Sequence, residues 1–236
     1  MGHDDGEACP AGSPAGRASL VDLGPVEQLR AGRLGARLLR LYAGLAVYGA
    51  SLTVMVRADL GLAPWDVLQS GITRYVPLTL GQAVVAVSFV VLLLWVPLRE
   101  KPGLGTLSNA VVVGVVCDLT MPLLDRPDHL AARLLMMLLG VAMCGLATAL
   151  YIGAQLGRGP RDGLMTGLAR RTGLSLRLVR TGLEVAVVAV GLLLGGVIGP
   201  GTVVFAVTIG PVTQALLPRF TVSLRAPQRP RRTGER

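Results

Sequence analysis

Six stretches of this chain are nearly unbroken in apolar residues, and polar residues gather between them. They cover residues 38–56, 79–98, 106–124, 134–155, 175–198 and 202–217. At a rise of about 1.5 Å per residue, roughly 20 residues cross the hydrocarbon core of a bilayer, so each stretch reads as a spanning helix. The first and last are slightly short. Arg40 and Arg219 stand at their ends and can extend their charge to the headgroups. The pattern divides the chain into a polar cytoplasmic tail at 1–37 and a three-helix unit at 38–124. A second three-helix unit follows at 125–218, then a basic cytoplasmic tail at 219–236.

The two units are copies. Residues 40–122 align with 136–218 at a constant offset of 96, without a gap. Leu60-Gly61-Leu62-Ala63-Pro64-Trp65-Asp66 falls on Leu156-Gly157-Arg158-Gly159-Pro160-Arg161-Asp162. Gly103-x-Gly105-Thr106 falls on Gly199-x-Gly201-Thr202, Thr79 on Ser175, and Pro122 on Pro218. Apolar helices resemble one another by chance, but Gly, Pro, Asp and Thr matching at one offset across a whole unit marks an internal repeat. Three spans per unit is an odd number, so the second copy enters the membrane from the opposite face. The expected fold is an all-α membrane protein of six transmembrane helices, arranged as two inverted three-helix repeats. Each repeat carries a short re-entrant or interfacial helix after its first span. Secondary transporters often use such inverted repeats, with the solute site near the midplane between the halves.

The LGxxPxD motif supplies that short helix. Gly61 and Gly157 suit a left-handed helix end, and Pro64 and Pro160 suit the first turn of a new helix. Asp66 and Asp162 then sit at the positive end of that helix. Trp65, Leu68, Ile72 and Tyr75 share one face, giving an amphipathic segment too short and too polar to span. Asp66 and Asp162 read either as helix-start residues or as the lining of a polar pathway. The other pathway candidates are Asp118, Glu184 and Asn109. Asp118 has no cation at helical spacing and is the better of these for a cavity or proton site, whereas Glu184 has Arg180 one turn away. Gly105-Thr106 and Gly201-Thr202 read as tight turns with the threonines as N-caps. Gly191, Gly195 and Gly199 form a small-residue face on the fifth span, the expected contact of a homodimer.

Composition sharpens this picture in two places. Of 23 Lys and Arg, 19 fall on the side of the tails and even-numbered loops, counting Arg40, Arg177 and Arg180 at the adjoining span ends, which places both termini in the cytoplasm and the protein in a bacterial inner membrane. The same distribution explains a net charge of +9 without a nucleic-acid partner. The rest is exclusion. Cys9, Cys117 and Cys144 form no CxxC pair, and no Walker, GxSxG or HExxH motif occurs. No cofactor, metal or catalytic residue is therefore expected, and no enzyme.

Taken in order, LGLAPWD, GLGT, LGRGPRD and GPGT resemble the YczE/YyaS/YitT group of bacterial integral membrane proteins, the YczE-like branch in particular. The resemblance covers about residues 38–220. It implies a multi-span membrane protein discussed as a transporter, with no defined substrate or catalytic residue. Two functions are expected. One is a permease for a small solute bound between the repeats. The alternative is a non-transporting scaffold or regulator that assists a partner protein or biosynthetic system in the lipid bilayer.

Overall fold

The computed structural model describes residues 31–222, together with Gly24, Glu27, Gln28 and Leu224. The N-terminal tail up to residue 23, most of the C-terminal tail, and Cys9 lie outside the described residues. The described chain is all helical, with no strand among those residues. Its helices are α1 (Leu34–Ala58), α2 (Pro64–Ile72), α3 (Leu80–Leu98), α4 (Leu104–Thr120), α5 (Leu130–Gly153), α6 (Pro160–Thr172), α7 (Leu176–Leu193) and α8 (Pro200–Phe220). A short 3-10 turn, Met121–Leu123, extends α4.

Five helices are long and apolar enough to cross a membrane: α1, α3, α4 with its 3-10 extension, α5 and α8. The stretch 175–198, expected as a fifth span, forms α7, which stops at Leu193 and is not among the five. Its 18 residues carry Arg177, Arg180 and Glu184. Outward-facing side chains of the spans are large and apolar: Leu93 is 69% exposed, Val96 73% and Val207 67%. Water would penalise such a surface, whereas lipid tails solvate it.

Local chemistry sets the helix ends. Thr79 caps α3 through a full capping box with Gln82, and Ser175 accepts the Leu178 N–H at the start of α7. Pro64 and Pro160 occupy the first turns of α2 and α6, as their fixed φ favours. Three expectations need correction. The left-handed residues that close α1 and leave α5 are Asp59 (φ 49°) and Gln155 (φ 54°), while Gly61 and Gly157 take positive φ two residues later, inside the loops. Thr106 and Thr202 are not N-caps, because Gly103 and Gly199 fill that position. The threonines lie three residues on and reach back, accepting the Gly103 N–H at 3.1 Å and the Gly199 N–H at 3.4 Å. The helix also begins before residue 38: Leu34 starts α1, and Arg37 is fully buried.

The packing exchanges the two halves. α1 crosses α5 through Gly44, which lies against the Ala147 carbonyl, and through Gly140, which lies against the Ser51 carbonyl. α1 packs on α4 as α5 packs on α8, and α2 packs on α7 as α6 packs on α3. The hydrogen bonds follow the same rule. Gly105 N donates to Leu156 O at 2.8 Å, and Gly201 N donates to Leu60 O at 2.7 Å. Arg37 Nε donates to Ala154 O, and Arg133 Nε to Ala58 O, both at 2.9 Å. Each bond becomes its partner when 96 is added to one residue number and subtracted from the other. The GxGT turn of each half therefore docks on the LGxxPxD loop of the other half. Glycine is required there because a Cβ on Gly61 would press on the Gly199 backbone, and one on Gly157 on Thr106 and Gly103. Each arginine satisfies terminal carbonyls that a helix end otherwise leaves unpaired.

Candidate functional site

The short helices α2 and α6 bring their first turns together at the centre of the molecule. Positive helix ends repel, so a charge-neutralising arrangement is needed where two of them meet. Asp66 and Asp162, one in each first turn, supply the negative charge. Asp66 is 3% exposed and pairs with Arg161 of the other half, Nη2 to Oδ1 at 3.3 Å. In the amide orientation that satisfies both atoms, Gln69 donates to Asp66 Oδ1 and accepts from Arg161 Nη2, each at 3.0 Å. The Arg161 guanidinium also lies 5.3 Å from the Trp65 ring centroid, a cation–π distance. Trp65 and Arg161 are equivalent positions of the repeat, so the two halves touch here through their own counterparts.

Asp162 is held differently. Tyr151 Oη donates to its Oδ2 at 2.7 Å, and the Tyr48 ring meets the Tyr151 ring edge-on at 6.3 Å. Asp66 thus faces a cation and Asp162 a phenol. The indole N–H of Trp95 donates to Pro160 O at 3.0 Å and fixes the start of α6 against α3.

Two cavities flank this centre. The larger, of about 210 Å³, lies between α7 and α8 and reaches inward to Tyr48, Trp65, Tyr151, Arg161 and Asp162. The smaller, of about 50 Å³, lies between α3 and α4 and reaches the same Tyr48, Tyr151, Arg161 and Asp162. Trp65 Nε1 and Thr213 Oγ1 are buried polar atoms without a partner among the described residues, and both residues line the larger cavity. Buried donors are nearly always satisfied, so a polar guest fits this chamber. No group of His, Cys, Asp and Glu able to hold a metal occurs among the described residues.

The sequence candidates separate in the structure. Asp66 and Asp162 meet at the centre, and their loops are positioned by Gly61, Pro64, Gly157 and Pro160. Asn109 lines the small cavity and Glu184 the large one, where Arg180 Nε donates to Glu184 at 2.9 Å. Asp118 is engaged at the start of α3, accepting from Thr79 Oγ1 at 2.5 Å and Gly81 N at 2.9 Å. The small-residue face expected on a fifth span packs inside the chain: Gly191 lies on Val67 and Leu68, Gly195 on Arg74, and Gly199 on Leu60. Sequence reasoning missed Arg161, counted only as a cytoplasmic charge, along with Gln69, Tyr48 and Tyr151. The alignment of Arg161 with Trp65 was the one available signal.

Comparison with known proteins agrees with a membrane protein. The sequence matches the family described as "Family of unknown function (DUF6198)" over residues 35–218. It is 42% identical over 173 residues to an uncharacterized protein of Haemophilus influenzae, covering 73% of this chain and 79% of that one. It is 32% identical over 181 residues to the uncharacterized membrane protein YczE of Bacillus subtilis, covering 75% and 84%. It is 25% identical over 182 residues to the uncharacterized protein YyaS of the same organism, covering 74% and 89%. No solved structure matches. The chain belongs to the DUF6198 family and is a YczE-like, multi-pass membrane protein.

Proposed function

We propose that this DUF6198 protein is a small-solute permease of the bacterial inner membrane, with its solute site where α2 and α6 meet. The observation that carries this reading is the buried Asp66–Arg161 pair joining the two halves beside a 210 Å³ cavity. Charged groups at membrane depth are costly and mark pathways more often than they add stability. The first turns of short helices aimed at a central cavity are the arrangement that transporters use to hold polar solutes. The polypeptide binds the solute with its own side chains and acts as a carrier rather than an enzyme, without cofactor.

Six spans in two inverted units complete the reading. α7 is the span that completes the six, fifth in chain order. Arg177 and Arg180 stand in its first turns, at headgroup level, and Glu184 is neutralised by Arg180. Hydrogen bonds that interchange under the offset of 96 support an inverted pair, since three spans reverse the direction of the second unit. The excess of Lys and Arg in the tails and even-numbered loops supports cytoplasmic termini.

The test is ligand stabilisation of the purified full chain against a panel of small polar solutes, followed by uptake into proteoliposomes. A solute that stabilises the wild type and loses its effect in Asp66→Asn and Asp162→Asn supports the permease. If no solute binds and the doubly substituted protein still complements a deletion strain, the molecule is a membrane scaffold for a partner protein instead.

A further inference from the structure

The two cavities are equivalent parts of the repeat. Val84, Ser88, Asn109 and Val113 line the small one, and adding 96 to each gives Arg180, Glu184, Phe205 and Ile209, which line the large one. Gly159 and Pro160 of the small cavity likewise correspond to Ala63 and Pro64 of the large one. Tyr48, Tyr151, Arg161 and Asp162 face both. The molecule therefore presents one chamber twice, once at about 210 Å³ and once at about 50 Å³.

The cause of the difference is a pair of helix seams. α3 and α4 close on each other at Gly81 and Gly114, where a Cβ on either glycine would strike the backbone of the other helix. Asp118 ties that seam by capping α3. At the equivalent place α7 carries Arg177 and α8 carries Gly210, which has open space where its Cβ would be; Gln214 replaces the capping aspartate. α7 and α8 do not pack together as α3 and α4 do, and the large cavity occupies the gap.

Resting on the permease reading, we propose that the two cavities are the open and the occluded form of a single solute site held by Tyr48, Tyr151, Arg161 and Asp162. The exchange closes the α7–α8 cleft and opens the α3–α4 seam, so the site changes the face to which it is accessible. One guanidinium, one carboxylate and two phenols suit a small polar solute with both donor and acceptor groups. The conserved element of the exchange is the central contact between α2 and α6; the moving elements are the pairs outside it.

The experiment replaces Cys9, Cys117 and Cys144 in the full chain and places one reporter thiol, Ser88→Cys in the small chamber or Thr213→Cys in the large one. Membrane-impermeant methanethiosulfonate is applied from each face of oriented vesicles. Thr213→Cys should react from one face and Ser88→Cys from neither. Arg177→Cys and Gly210→Cys, at positions equivalent to Gly81 and Gly114, are then oxidised to a disulfide with copper phenanthroline to hold the cleft shut. Reaction at Ser88→Cys should rise by about tenfold or more, from the opposite face, as the population shifts. Asp118→Ala, which loosens the seam without a cross-link, should give a smaller rise from that same face. No rise at Ser88→Cys in either variant, or a rise from the face that reaches Thr213→Cys, overturns the exchange. Uptake of a solute with Ser88→Cys still closed would sink the exchange and leave the permease standing. Opening of Ser88→Cys without binding of any panel solute supports the exchange and counts against the permease.

Discussion

The α3–α4 seam and the α7–α8 cleft descend from the same stretch of the repeat, yet one is closed and the other is not. Both pairs run from a Thr or Ser cap through an apolar helix, across a Gly-x-Gly-Thr turn, and back. In the first, Gly81 and Gly114 bring two backbones together, and Asp118 closes the junction with two hydrogen bonds. In the second, Arg177 stands where the glycine would be, and the charge-free Gln214 stands where the aspartate would be. Helix association in a bilayer depends on close van der Waals approach, because lipid supplies no hydrophobic drive between helices. The parted seam is accordingly the one that carries a large residue at the crossing point and lacks the aspartate.

The largest expected effect lies at the centre that both regions share. Arg161→Ala leaves the Asp66 carboxylate buried without its partner and should cost about 3–5 kcal/mol. Thermal unfolding in detergent measures it, and Asp66→Asn with Arg161→Met should recover much of the loss. An unfolding temperature unchanged in Arg161→Ala would mean the two halves do not depend on this joint, and the comparison of their outer seams would lose its common pivot.

Next come the seams. Gly81→Ala must push α3 away from the Gly114 carbonyl and should cost about 1–3 kcal/mol. Arg177→Ala, at the equivalent site, should stay within about 0.5 kcal/mol of wild type. Equal effects at the two positions would break the distinction. Asp118→Ala, which strips the cap from α3, should cost about 1 kcal/mol, whereas Gln214→Ala should be near neutral.

Much of this asymmetry was present in the sequence but could be read only with the repeat in hand. The offset of 96 placed Gly114 on Gly210, and the motif prolines fell in the first turns where the structure has them. The partners of Asp118 were not legible, because they are a backbone N–H and a hydroxyl at the start of α3, 37 and 39 residues away, and no spacing on its own helix announces them. Arg161 misled for the opposite reason. It sits among Arg158, Arg170 and Arg171, a run that fits a cytoplasmic loop, yet the turn after Gly157 carries it inward to Asp66. The GxGT threonines looked like caps because Thr is a common cap. Which residue of a turn becomes the cap depends on where the helix starts, and the docking of Gly105 on Leu156 accompanies a start three residues earlier. Helix periodicity finds elements; contacts between distant elements decide which polar residues go inside.

The smallest effect belongs to Glu184 and Arg180, an ion pair that lines the cleft. The pair joins one turn of α7 to the next at 2.9 Å, with Arg180 well exposed. Such a pair contributes about 0.3–0.5 kcal/mol at most and is weakened by salt. Glu184→Gln should therefore leave the unfolding temperature almost unchanged. Its value lies in the comparison, because the equivalent residue on α3 is Ser88, uncharged and 7% exposed in the small chamber. If the cleft is an opening for solute, Glu184→Gln should alter solute affinity while stability stays fixed, and Ser88→Ala should alter neither in the form with the α3–α4 seam closed. A Glu184→Gln protein that loses stability but binds as wild type would make the pair a structural strut of α7, and the cleft would lose its claim to be the entrance.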